Sequence, residues 1–149
     1  MNLNKITAAG IEIIGDTSFR GLCPLEDAET ITLVNQIKDA HDKRFEHSVI
    51  HVKNEKHRKD KKDFRELAEE RKKGSIIVGW SDVCVTGWPS LFIEVKRLDH
   101  TQSECPQVEL DFLVANQKND CWCGVALGWR AGMEFFERWY KENYCNPTK

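Results

Sequence analysis

The sequence predicts an α/β domain: a mixed central sheet flanked by helices. Three observations carry this. Short apolar runs of strand length, bounded by Gly, Pro and Ser, alternate with longer stretches whose apolar residues recur at helical spacing. Their order is helix, strand, helix, hairpin, helix, strand, helix, which is the order of a layered domain. The chain has 149 residues, 40% of them hydrophobic and 31% charged, enough for one core and one domain over residues 1–149.

The first twenty residues carry no evident chemistry, and residues 1–23 read as an N-terminal extension or arm. Within it, Gly10 to Gly15 is either a short strand or an arm that packs on a partner. Pro24 opens a helix running to about His41, with Leu33, Val34 and Ile37 as its apolar stripe. Glu26, Thr30, Leu33 and Ile37 share a face, because steps of three and four residues stay aligned on a helix. Ser48 to Val52 is a strand. A basic run follows, and Asp63 to Lys72 is a helix stopped by Lys73-Gly74. Val83 to Val85 and Leu91 to Val95 form a hairpin about the turn Thr86 to Ser90. After a polar loop, Arg97 to Ser103, Pro106 or Gln107 starts the next helix. Cys121 to Trp129 is a strand, and Arg130 to Tyr144 is a last amphipathic helix rich in aromatic residues.

The hairpin carries the chemistry. Leu91 to Val95 alternates as a half-buried strand does, so Leu91, Ile93 and Val95 face one way and Phe92, Glu94 and Lys96 the other. Residues two apart on a strand face stand roughly 6.5 Å apart. An acid and an amine therefore enter the same space, and the hairpin folds Asp82 back beside them. Two converging carboxylates repel unless a cation lies between them, and oxygen ligands alone suit Mg²⁺. The competing reading is a solvated cross-strand ion pair, worth little.

Other chemistries are poorly supplied. No apolar run reaches membrane-spanning length and no signal-peptide pattern opens the chain, so a soluble cytoplasmic protein is expected. Of the six cysteines, Cys84 and Cys123 sit in apolar strand-like runs as small hydrophobes. Cys121 and Cys123 lack the spacing of a zinc site. His41, His47, His51, His57 and His100 show no ligand spacing, and His51 alone ends a strand of interest.

Taken in order, several segments resemble the virus-type replication-repair nuclease (VRR-NUC) domain of the PD-(D/E)xK nucleases. They are Glu26 on a first helix, His51-Val52-Lys53-Asn54-Glu55 ending a strand, Gly79-Trp80-Ser81-Asp82, Phe92-Ile93-Glu94-Val95-Lys96, and Gln107 opening a helix. The likeness spans about Pro24 to Tyr140. Ser81 stands where the family often has proline, and Ser103 precedes Gln107 by four residues rather than three. Both Glu26 and Glu29 are candidates for the helical acid; Glu26 keeps the family's spacing to Leu33, Val34 and Ile37.

The resemblance implies a restriction-endonuclease-like fold and a DNA endonuclease dependent on Mg²⁺ or Mn²⁺, acting on junctions, flaps or nicks in phage-type replication, recombination or repair. It implies Asp82, Glu94, the Val95 carbonyl and Glu26 (directly or through water) as metal ligands, Lys96 as the residue that positions water or steadies phosphate charge, and Gln107 as orienting the loop or hydrogen-bonding near the scissile phosphate, the competing reading being an ordinary helix-start glutamine. The basic run is either a solvated face or a phosphate track. In the second case Lys53, Asn54, Lys56, Arg58, Lys59, Lys61 and Lys62 hold the DNA backbone without reading bases. Symmetric cutting of two strands calls for a homodimer. The Gly10 to Gly15 arm and the aromatics Phe135, Phe136, Trp139 and Tyr140 are the expected pairing surfaces. The alternative is a catalytically silent DNA-binding module or accessory subunit of the same fold.

Overall fold

The structure is a computed structural model that describes residues 1–52 and 79–145. The strands among them are β1 (Glu12–Ile14), β2 (Val49–His51), β3 (Val83–Val85), β4 (Leu91–Lys96) and β5 (Trp122–Leu127). They form one sheet in the order β1-β5-β4-β3-β2. β5 runs parallel to both β1 and β4, whereas β3 is antiparallel to β4 and to β2, so the sheet is mixed. The helices are α1 (Leu3–Ala8), α2 (Glu26–Lys43), α3 (Gln107–Gln117) and α4 (Gly128–Tyr140). A 3-10 turn spans His100–Gln102, and a π-helical turn spans Lys141–Cys145.

Two apolar layers sandwich the sheet. On one face Leu91, Ile93, Val95, Val83 and Val85 meet Leu33, Val34 and Ile37 of α2 and Phe135, Phe136 and Trp139 of α4. On the other, Phe92, Cys84, Cys123 and Val125 meet Ile6, Ile11, Leu110 and Leu113, contributed by α1, α3 and the turn between α1 and β1. Burying a Leu or Phe side chain is worth about 1.5–3 kcal/mol, and both layers converge on β4. That strand is therefore buried along all six residues rather than half-buried as its alternation suggested. Alternation of side chains across the strand holds, but helices cover both faces.

Two further stretches take definite form. Gly10 to Gly15 is no free arm: its central residues are β1, paired with Gly124 to Ala126 of β5. The last helix begins at Gly128, and Phe135, Phe136 and Trp139 are buried in this chain's own core. β1 is an edge strand of the sheet, and Tyr140 stays partly exposed. α2 begins at Glu26, and its axis breaks near its end, where Ala40 leaves helical geometry and His41 and Asp42 take positive φ. The strand end from Lys53, the basic run and the expected helix Asp63 to Lys72 lie outside the described residues. No described helix is long and apolar enough to cross a membrane.

Candidate active site

The site gathers at the C-terminal end of β4. Glu94 and Lys96 are two apart on one strand face, and both are almost completely buried. Their side chains close to 2.7 Å between Nζ and Oε1. The same ammonium donates to Glu109 Oε2 at 2.8 Å, and Glu26 Oε1 stands 3.6 Å away. Asp82 comes from the turn ahead of β3. Its Oδ2 accepts the Val95 N–H at 3.0 Å, the residue between the acid and the amine. Its own carbonyl accepts the Val52 N–H at 2.9 Å, which ties the turn to the end of β2.

Backbone geometry locks this turn in place. Gly79 has a φ of +82°, and a Cβ there would lie 2.5 Å from the Val108 carbonyl oxygen of α3. Only glycine gives both the positive φ and the close approach. The turn carrying Asp82 is thereby set against the first turn of the helix carrying Glu109.

Three carboxylates thus surround one ammonium, and Asp82 stands close enough to Glu94 to act on its charge. Burial pushes Glu94 well above the usual carboxylate range; Asp82 and Glu109 push it further, and Lys96 opposes them. Burial alone would lower the Lys96 ammonium, but Glu94 and Glu109 outweigh it and hold its pKa above the ordinary lysine value. The second oxygen of Glu94, Oε2, is buried and has no hydrogen-bond partner among the described residues. A buried oxygen of that kind costs about 1–3 kcal/mol while unsatisfied.

The donor set suits a hard divalent cation: it is all oxygen, exceeds its countercharge, and includes one orphaned buried oxygen. With the Lys96 ammonium between Glu94 and Glu109, no three acidic, thiol or imidazole side chains among the described residues close on one point as a finished metal cage.

Not every candidate joins the cluster. Gln107 is exposed at the start of α3 and donates to Asp111 Oδ1 at 2.6 Å. Glu29 is buried on α2, and its Oε2 accepts the Trp129 N–H at 2.7 Å, at the first turn of α4. It serves one of the unsatisfied N–H groups of a helix start. Of the two acids open in the sequence, Glu26 is the one beside Lys96. His51 lies half-buried on β2, paired with Val83. Lys53, Asn54, Lys56, Arg58, Lys59, Lys61 and Lys62 lie outside the described residues.

Glu109 was not singled out in the sequence. It sits in the inward stripe of α3 with Leu110 and Leu113. A carboxylate at a core position of a helix is the signal that points to it.

Among solved structures, a VRR_NUC domain protein superposes with a TM-score of 0.59 at 16% sequence identity, over 80% of this chain and 91% of its own length. The fold is that of a VRR_NUC domain protein. No protein-family model and no curated protein matches the sequence. The VRR_NUC likeness therefore rests on the shared architecture, the mixed sheet with helices on both faces.

Proposed function

We propose that this chain is a divalent-metal-dependent DNA endonuclease that hydrolyses phosphodiester bonds in branched, flapped or nicked DNA, in phage-type replication, recombination or repair. One observation carries the reading most: on a VRR_NUC fold, a buried lysine ammonium stands 2.7 Å from Glu94, with Asp82 fixed to the backbone between them. A binding module has no need of so many buried carboxylates beside a polyanion, since each repels phosphate.

Asp82, Glu94 and Glu26 are the residues that would hold Mg²⁺ or Mn²⁺, with the Val95 carbonyl as a further oxygen. The N–H and C=O of one strand residue point to the same edge. The Val95 carbonyl therefore faces the edge where Asp82 replaces β3. A divalent ion bound there supplies Lewis acidity at the phosphate and makes a water more acidic. The chain's own part is orientation and charge. Lys96 has three N–H donors, two of them engaged by Glu94 and Glu109. The third is available to a phosphate oxygen or to the attacking water, where a fixed donor steadies developing charge. Gln107, exposed at the start of α3, orients the preceding loop or hydrogen-bonds near the scissile phosphate.

The basic residues Lys53 to Lys62 follow β2, whose end is tied to the Asp82 turn, so they track phosphates leading into the site. Cutting both strands symmetrically calls for a homodimer. Light scattering at micromolar concentration reads its mass directly.

The test is purified protein against linear, nicked, flapped and four-way-junction DNA, with Mg²⁺, Mn²⁺ or EDTA. Cleavage that needs the ion and favours the branched substrates supports the proposal. Tight binding without cleavage under all three conditions returns the chain to the silent-module reading.

A further inference from the structure

Glu109 presents a carboxylate to the candidate site from a different element than any residue the hairpin supplies. Its Oε2 accepts from Lys96 Nζ at 2.8 Å, and the contact is buried. Its neighbours Leu110 and Leu113 fix that face of α3 in the core. Gly79 against Val108 fixes the same first turn to the Asp82 segment. Glu109 is thus a rigid acceptor, whereas a lysine is a point charge on a flexible four-carbon stem.

The other anionic contacts of Lys96 are divided or distant. Glu94 contacts Lys96 through Oε1 and leaves Oε2 without a partner among the described residues. Under the proposed function Glu94 also serves as a cation ligand, which draws its charge away from the amine. Glu26 stands at 3.6 Å, an ion-pair distance too long for a hydrogen bond. Glu109 is the carboxylate whose hold on Lys96 competes with nothing else in the site.

We infer that Glu109 is a positioning residue for Lys96: it fixes the ammonium so that its remaining N–H is aimed at the reacting phosphate or water. This inference rests on the endonuclease reading. It assigns Glu109 no contact with DNA and none with the metal.

The experiment uses the full chain and two substitutions, Glu109→Ala and Glu109→Gln. Glutamine keeps the shape and one acceptor oxygen, so it also serves if the alanine variant folds poorly. The expected result is a kcat per folded molecule about 100-fold lower in Glu109→Ala and about tenfold lower in Glu109→Gln, the range for losing one placed group at a reacting centre. KM for DNA should stay within about twofold, since a positioning group acts on the chemical step. A second readout needs no cleavage: ¹⁵N-lysine NMR of metal-free protein, with the Lys96 Nζ signal assigned through Lys96→Arg. The signal of a held, buried ammonium should be present in the wild type, kept in Glu109→Gln and lost in Glu109→Ala.

A merely structural Glu109 would lower the melting temperature yet leave kcat per folded molecule and the Nζ signal unchanged, and that result overturns the inference. So does a folded Glu109→Gln with wild-type kcat. A wild-type protein that cuts no DNA overturns the endonuclease reading itself, and the inference with it. Active wild type with fully active variants overturns the inference alone.

Discussion

Replacing Lys96 with methionine removes the ammonium from a buried cluster and keeps most of its stem volume. Lys96 is fully buried, and Glu94 and Glu109 hold it at 2.7 and 2.8 Å. Removing one partner of such a group leaves uncompensated buried charge and costs about 3–5 kcal/mol. For a domain near this size, 1 kcal/mol moves the melting temperature by about 2–4 °C, so Lys96→Met should melt about 6–20 °C lower at pH 8 in EDTA.

The pH dependence has a definite sign. The folded-state pKa of Glu94 is raised above its ordinary value of 4.5. Its contribution to stability is therefore fully present below pH 4.5 and is lost as pH rises through the folded-state value. Lys96 opposes that rise in the wild type. Without it, Glu94 moves further up and the loss continues to higher pH. The gap between variant and wild type should therefore widen from pH 5 to pH 8. Circular-dichroism melts across that range are the assay. Adding Glu94→Gln and Glu109→Gln to Lys96→Met should recover most of the loss, because the two buried carboxylates that touch the amine then carry no charge to compensate. Lys96→Met melting within about 2 °C of wild type at pH 8 would refute the buried cluster as described.

Glu29→Ala should lower stability by about 1.5–3 kcal/mol by removing a charged acceptor from the Trp129 N–H, whereas Glu26→Ala should lower cleavage with a smaller change in melting temperature; the reverse pattern would exchange their roles. Cys84 and Cys123 are pushed up to about 11 and about 12 by burial, so at pH 8 iodoacetamide should modify the exposed Cys145 within minutes and those two only after unfolding, as read by peptide mass spectrometry. The same two thiols add stability below their ordinary value of 9 that is lost as pH climbs through 11–12, so alkaline melts should fall steeply there. Replacing Lys59, Lys61 and Lys62 with alanine should weaken DNA binding to all sequences alike and reduce the log–log salt slope by roughly one unit for each phosphate no longer neutralised; an unchanged slope places the DNA elsewhere.

The hairpin and its acid–amine pair were legible because period-2 alternation is strict: Glu94 and Lys96 must share a face whatever covers it. What covers it was not legible. Burial of β4 on both sides depends on α1 and α3 packing over Phe92, a contact between segments far apart in the chain. The sequence leaves β1 open between strand and arm for a similar reason. Three residues give too short a pattern, and their partner, β5, is more than one hundred residues away. The aromatics of α4 read equally as core or as an interface until the sheet shows which side it occupies. Gln107 and Glu109 illustrate the limit at the site. A motif position drew attention to the glutamine, but the side chain two residues on enters the cluster, because helix phase and not motif spacing decides which residue faces inward.

Asp82, Glu94 and Lys96 stand at the centre of the proposed metal-dependent phosphodiesterase. The most direct test is single-turnover cleavage of one end-labelled four-way junction by wild type, Asp82→Asn and Glu94→Gln, each in Mg²⁺, Mn²⁺ and EDTA. The wild type should cut with either metal and not in EDTA, and both variants should lose about 100-fold or more while each stays folded. Equal cutting in EDTA, or folded variants that cut at the wild-type rate, would contradict that assignment.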